Sequence, residues 1–161
     1  MLIGGYALPA YGQIRATQDV DIAIAAPFSE VVKLHGRLVE RGFQLSSSPH
    51  ERAPLFVLTD VENRAEIEVW TKPDGVVFDD ELLRRRVKVR PFDDDFEMFA
   101  IGPEDFIVNK LSRKDRGVQD EMDVVSVIER QKRKLDYEYL TKRAKAADAM
   151  GLFQALMDRV A

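Results

Sequence analysis

Two aspartates near the start of the chain have the type and spacing needed to bind a metal ion. Asp19 and Asp21 alternate with apolar residues in the order Asp19-Val20-Asp21-Ile22. Side chains at positions i and i+2 of a strand share one face, with Cα atoms about 6.6 Å apart. Neighbouring carboxylates repel each other unless a cation lies between them, and Mg²⁺ prefers carboxylate oxygens. The alternative is a strand whose polar face is simply solvated.

A glycine pair precedes the aspartates and suggests a phosphate contact. Gly4 and Gly5 follow the apolar pair Leu2-Ile3 and precede a predicted helix at Tyr6–Tyr11. Glycines at a strand-to-helix turn let the backbone approach a phosphate and direct N–H groups at it. The alternative is a tight turn that needs a positive φ. A glycine pair followed by the two aspartates favours a phosphate cradle beside a metal site.

A third acidic residue is expected on a neighbouring strand. Glu66, Glu68 and Trp70 alternate with apolar residues and share one face of a predicted strand. Glu68 lies in mid-strand between two β-branched residues, so we expect it beside the aspartates, with Glu66 as the second choice; both could be solvated. Three converging carboxylates suit phosphoryl transfer assisted by metal ions. Trp70 could stack on a base, although a tryptophan at a strand end is more often part of the core.

The elements that must position these residues change in character near residue 102. Before it, short apolar runs alternate with turn signals; after it, the apolar period is helical. An acidic run at Asp93–Asp95 is interpreted as a solvated turn. We predict strands at Leu2–Ile3, Val20–Ile24, Leu55–Leu58, Ile67–Trp70, Val87–Val89 and Met98–Ile101.

Helices are predicted on both sides of that boundary. Ser29 is expected to cap the first long helix and Gly42 to follow its end. Pro103 suits the first turn of a helix whose apolar stripe contains Phe106, Ile107 and Leu111. The remaining predicted helices are Asp79–Arg85, Asp120–Lys132, Tyr137–Met150 and Leu152–Val160, the last two separated at Gly151. The pattern predicts an α+β fold: one domain, 1–161, with an α/β core at 1–101 and a helical cap at 102–161.

Composition excludes several classes of protein. The chain has 161 residues and no cysteine, which excludes disulfides, thiolate zinc sites and a cysteine nucleophile. Its two histidines leave little for a histidine-built metal site. The net charge of 24 − 28 = −4 does not match nucleic acid electrostatically. No apolar stretch reaches the roughly 18 residues of a membrane span, and no signal peptide is visible. A cytoplasmic protein without membrane contact is expected.

The sequence motifs resemble those of a known superfamily. Gly4-Gly5-x-Ala7-Leu8, Gly12 and Arg15-x-Thr17-x-Asp19-Val20-Asp21-Ile22 resemble the signature of nucleotidyltransferases with the DNA polymerase β-like fold. Pro103-Glu104-Asp105-Phe106-Ile107-Val108-x-Lys110 and Arg116-x-x-Gln119-Asp120-x-x-Asp123 resemble later helices of small members, some of which are similar to toxins of toxin–antitoxin pairs. The likeness extends from Leu2 to Val127 and implies a mixed sheet flanked by helices, with a helical C-terminal region.

The resemblance implies a role for each matching residue. Asp19 and Asp21 would bind Mg²⁺, or Mn²⁺ in its place. Glu68 would be the third metal-binding and catalytic acid, which orients or deprotonates an acceptor hydroxyl; Asp is commoner at this position. The implied reaction moves a nucleoside monophosphate from a nucleoside triphosphate, such as ATP, onto that hydroxyl. The acceptor is open: a protein, an RNA or a small molecule.

The remaining matching residues would contact the nucleotide. Gly4 and Gly5 would hold the triphosphate, and Arg15 and Thr17 would support the loop or touch phosphate. Lys110 could reach the triphosphate from its helix.

Two alternative functions and a homodimer are also predicted. The first is a non-catalytic binding or regulatory partner with the same fold, similar to an antitoxin; the second, less favoured, is a metal-dependent phosphohydrolase. Members of the superfamily usually carry a helix before the glycine strand, whereas this sequence begins at Met1-Leu2-Ile3. We therefore expect an exposed apolar surface or strand edge there, covered in a homodimer.

Overall fold

The computed structural model describes residues 1–91 and 95–160. Asp93 and Asp94 of the acidic run lie outside the described residues. The chain divides into two compact units. The first unit contains Met1–Tyr6 and Arg15–Pro73, and the second contains Ala7–Ile14 and the chain from Asp74 onward.

The described residues form an α+β chain, as predicted. A 3-10 helix at Gly5–Tyr11 precedes the first strand. The strands are β1 (Asp19–Ala23), β2 (Gln44–Leu45), β3 (Leu55–Asp60), β4 (Ala65–Trp70), β5 (Val87–Val89) and β6 (Met98–Ala100). The helices are α1 (Phe28–Glu40), α2 (Asp80–Arg85), α3 (Pro103–Ser112), α4 (Val118–Gln131), α5 (Tyr137–Ala146) and α6 (Met150–Val160).

A mixed four-stranded sheet organises the first unit. Its strand order is β1-β4-β3-β2. The β1 and β4 strands are parallel, whereas β3 is antiparallel to both β4 and β2. Val31 of α1 packs with Phe56 and Leu58 of β3 and Val69 of β4 to form the core of this unit. Since side chains alternate along a strand, burying this face turns the intervening polar residues to the opposite face.

The segment before the glycine pair is paired with β1. The Ile3 N–H donates to the Asp21 carbonyl at 3.1 Å, and the Ala23 N–H donates to the Met1 carbonyl at 2.8 Å. Leu2 is 0% exposed and Ile3 is 3% exposed. The expectation of an exposed apolar surface at this segment is therefore wrong, because Leu2 and Ile3 are buried where the segment pairs with β1; an exposed strand edge stays a prediction. The homodimer stays a prediction.

Two helix boundaries differ from the sequence expectation, and one agrees with it. Pro27, not Ser29, is the N-cap of α1. The break between α5 and α6 lies at Asp148, with φ of 54°, whereas Gly151 lies inside α6. Aspartate tolerates this left-handed conformation better than most residues, so a glycine is not needed there. Gly42, with φ of 95°, follows α1 as predicted.

A buried ion pair joins α3 to α4 in the second unit. The Lys110 ammonium donates to Asp120 Oδ1 at 2.8 Å and lies 3.7 Å from Asp123 Oδ2. Lys110 is 4% exposed and Asp123 is 0% exposed. Asp123 also accepts from the Gln119 amide at 2.9 Å. Each charge is thus removed from water together with a partner, which is the condition under which buried charges are tolerated.

A second polar network joins α5 to α3 and to the N-cap of α2. Tyr139 Oη donates to Asp105, and Arg143 donates to Tyr139 Oη and to Asp79. Burial raises the pKa of Asp105 to about 6, although the hydrogen bond from Tyr139 and the charge of Arg143 oppose the rise. The hydrogen bond from Arg143 lowers the pKa of Asp79 to about 2. The network therefore joins three helices through hydrogen bonds and through an ion pair between Arg143 Nε and Asp105 Oδ1 at 3.5 Å.

None of the helices in the described part of the chain is long and apolar enough to span a bilayer.

The ion pair between α3 and α4 predicts that removing the Lys110 ammonium strongly lowers the stability of the protein. Lys110→Ala leaves Asp120 and Asp123 without their nearest positive charge, so we expect the free energy of unfolding to fall by about 3–5 kcal/mol. Urea titration followed by circular dichroism measures this change. The matched control is Lys114→Ala, because Lys114 is exposed and its loss is expected to change stability by less than about 0.5 kcal/mol. Equal stabilities of the two variants would contradict a structural role for Lys110.

Candidate functional site

Four acidic residues lie on one face of the sheet at neighbouring positions of β1 and β4. The parallel register places Asp19 opposite Glu66 and Asp21 opposite Glu68. Residues paired in this way share a face, as do residues two apart on one strand, so the four form a two-by-two block. We call these four residues the acidic face. Asp21 and Glu68 are half-buried, whereas Asp19 and Glu66 are exposed.

The sequence builds this face by alternating polar and apolar residues on two adjacent strands. Val69 is buried in the core on the opposite side, and Ile67 packs against the same core. Like charges directly opposite each other on neighbouring strands are destabilising, and aspartate is a poor strand former. The acidic face is therefore not explained by sheet stability, and a bound cation would remove its repulsion.

The backbone of Gly4 packs directly against the Asp21 carboxylate. A Cβ atom at Gly4 would lie 1.6 Å from Asp21 Oδ2 and 2.4 Å from Asp21 Cγ. The hydrogen bond from Ile3 to Asp21 produces this closeness, since it places the next residue, Gly4, beside the Asp21 side chain. Any side chain at this position would occupy the space of the carboxylate.

Gly5 packs in the same way against Thr17. A Cβ atom there would lie 2.9 Å from Thr17 Cβ and Oγ1. Neither Gly4 nor Gly5 has a positive φ, whereas Gly12, Gly42 and Gly75 do. The tight-turn explanation of the glycine pair is therefore wrong: close approach to Asp21 and Thr17 requires these glycines.

Arg15 and Thr17 lie in the segment that leads into β1. Thr17 Oγ1 donates to the Asp19 carbonyl at 3.5 Å, and Arg15 Nη1 donates to the Ala16 carbonyl at 3.1 Å. Both side chains thus contact the backbone of the segment in which they lie. A contact of either residue with phosphate stays a prediction.

Trp70 contacts the acidic face. Its indole N–H donates to Glu68 Oε2 at 2.9 Å, and the residue is half-buried. Sequence reasoning favoured a core role, but the i, i+2 spacing from Glu68 already placed the indole on the acidic side of the strand. That spacing is the signal that could have predicted the hydrogen bond.

Lys110 belongs to the second unit, where its ammonium pairs with Asp120 and Asp123. Its contact with a triphosphate stays a prediction.

Within residues 1–91 and 95–160, no three or more acidic or histidine side chains are gathered closely enough to hold a metal ion by themselves. Protein-bound Mg²⁺ is usually held by one or two carboxylates together with water and substrate phosphates. Asp21 and Glu68 fit that mode. Both residues are half-buried, and Asp21 packs against the backbone of Gly4.

Comparison with known proteins identifies the family. No protein with a curated function matches the chain. A family model described as "Nucleotidyl transferase of unknown function (DUF2204)" matches residues 1–151. The match includes the glycine pair, the acidic face and the helices α3 and α4. It confirms the nucleotidyltransferase resemblance of the motifs around Gly4 and Asp19. The chain therefore belongs to the nucleotidyl transferase family DUF2204.

Proposed function

We propose that this protein is a metal-dependent nucleotidyltransferase that uses the acidic face as its active site. The observation that carries the proposal is the packing of Gly4 against the Asp21 carboxylate, with Glu68 in register beside it. This arrangement brings the glycine backbone and two half-buried acidic residues to one place. Membership of the nucleotidyl transferase family supports the same chemistry.

Asp21 and Glu68 are the residues that would hold Mg²⁺ or Mn²⁺ together with water and substrate phosphates, and Asp19 lies beside them on the same face of the sheet. When bound, the cation would supply charge neutralisation at the transferring phosphate. Asp21 is the central ligand in this proposal because it neighbours Gly4, Asp19 and Glu68 at once.

The chain's own residues would position the reactants. Gly4 and Gly5 would admit the triphosphate, such as that of ATP, close to the backbone. Arg15 and Thr17 would hold the loop that precedes Asp19. An acceptor hydroxyl oxygen would form a bond to the α-phosphorus, the bond from that phosphorus to pyrophosphate would break, and Glu68 would receive the hydroxyl proton. The acceptor is a hydroxyl of a protein, an RNA or a small molecule.

The proposal predicts that Asp21→Asn abolishes transfer without unfolding the protein. The substitution keeps the shape of the side chain and removes one charge, so the sheet is retained and like-charge repulsion is relieved. We expect turnover to fall about 1,000-fold or more, equivalent to about 4 kcal/mol of transition-state stabilisation. The measurement uses nucleoside triphosphates labelled at the α-phosphate, with Mg²⁺ and cell extract, and follows the label onto an acceptor.

The matched control for this substitution is Glu62→Gln, since Glu62 is an exposed carboxylate in the turn after β3. It should transfer label at the wild-type rate. If Asp21→Asn retains full transfer while remaining folded, the acidic face is not the active site.

The contact between Gly4 and Asp21 predicts an effect of a single methyl group. Gly4→Ala would overlap the Asp21 carboxylate and displace it, so turnover should fall about 100-fold. Gly36→Ala is the control, because no atom lies within 4 Å of a Cβ at this position in α1. The control should retain activity and gain roughly 0.5–1 kcal/mol of stability. Steady-state transfer rates and thermal melts of both variants measure these outcomes, and wild-type turnover in Gly4→Ala would refute the close-packing argument.

A further inference from the structure

Trp70 is placed to act on the acidic face through Glu68. The two residues lie two apart on β4 and share a face, and the indole N–H donates to Glu68 Oε2 at 2.9 Å. Trp70 is in register with Ala23 on β1 and with Leu55 on β3. Ala23 has a small side chain on the same face, which leaves room for the indole beside the acidic residues.

We propose that Trp70 is a positioning residue that holds the Glu68 carboxylate in the orientation required for nucleotidyl transfer. The proposal rests on the proposed function and adds to it a residue outside the acidic face. A glutamate side chain has several rotatable bonds, whereas aspartate has fewer. A hydrogen bond to one carboxylate oxygen restricts these rotations and fixes the direction of the other oxygen.

The physical chemistry of the pair favours an orienting role. An indole N–H can only donate a hydrogen bond, so Trp70 bonds to the carboxylate without accepting a proton from it. A hydrogen bond to a charged acceptor is stronger than one between neutral groups. Trp70 is a rigid support because its side chain has a planar ring and only two torsions. Glu66, the other glutamate on this face of β4, is exposed.

The first arm of the test reads the hydrogen bond without any activity assay. Trp70 is the single tryptophan of the chain, so its indole N–H gives one identifiable cross-peak in a ¹H–¹⁵N correlation spectrum. Glu68→Ala should shift that peak in the direction of a lost hydrogen bond and speed exchange of its proton with solvent. Glu66→Ala is the matched control and should leave the peak in place. An unshifted peak in folded Glu68→Ala would overturn the proposal.

The second arm measures whether Trp70 acts through Glu68. Trp70→Phe keeps an aromatic ring and removes the donor, so kcat should fall between about 10-fold and 100-fold, while KM for the nucleotide stays the same. The double variant Trp70→Phe with Glu68→Gln should be no slower than Glu68→Gln alone, because both changes interrupt one unit. If the two effects multiply, or if KM alone changes, Trp70 has a merely structural or binding role.

The two arms separate failure of this proposal from failure of the proposed function. If the wild-type protein transfers no nucleotide, the nucleotidyltransferase proposal fails, and the positioning role falls with it, while the spectrum still decides whether Trp70 holds Glu68. If transfer occurs and Glu68→Gln is fully active, Trp70 does not position a catalytic carboxylate and the proposal is overturned. If transfer depends on Glu68 and Trp70→Phe does not fold, the ¹⁵N spectra of Glu68→Ala and Glu66→Ala decide the proposal.

Discussion

The contact between the backbone of Gly4 and the Asp21 carboxylate is the constraint on which the candidate site depends. It follows from hydrogen bonding of Met1–Ile3 along β1, which leaves no space for a side chain at Gly4. The contact holds the Asp21 carboxylate in one place beside Glu68, where its oxygens are available as ligands in the proposed cation site. A cation bound there would neutralise carboxylate and phosphate charges together.

The sheet of the first unit has one apolar face and one acidic face. One face packs Phe56, Leu58 and Val69 against Val31 of α1, and the backbone pairing of β1 with β4 sets their register. The other face then presents Asp21 beside Glu68 without further adjustment. Burial of the apolar face supplies the stability that like-charge repulsion on the acidic face opposes. The apolar core and the proposed active site therefore lie on opposite sides of the same strands.

Sequence reasoning recovered what depends on local periodicity. The shared face of Asp19 and Asp21 and the strand that carries Glu68 both follow from spacing along one element. Glu68 was preferred to Glu66 only because it lies in mid-strand; the register that places it opposite Asp21, and Glu66 opposite Asp19, depends on pairing between distant segments. Burial of Lys110 was missed for a related reason. Its partners Asp120 and Asp123 lie on α4, and α3 is buried from Glu104 to Leu111 instead of along one stripe.

Direct binding of Mn²⁺ tests the central claim, that Asp21 beside Gly4 and Glu68 forms a cation site completed by a nucleotide. Electron paramagnetic resonance measures free Mn²⁺ as protein is titrated with a non-hydrolysable nucleoside triphosphate present, each mixture being compared with nucleotide alone. The account predicts saturable uptake of Mn²⁺ by the wild-type protein and its loss in the folded Asp21→Asn variant. Identical uptake by the two proteins would contradict it.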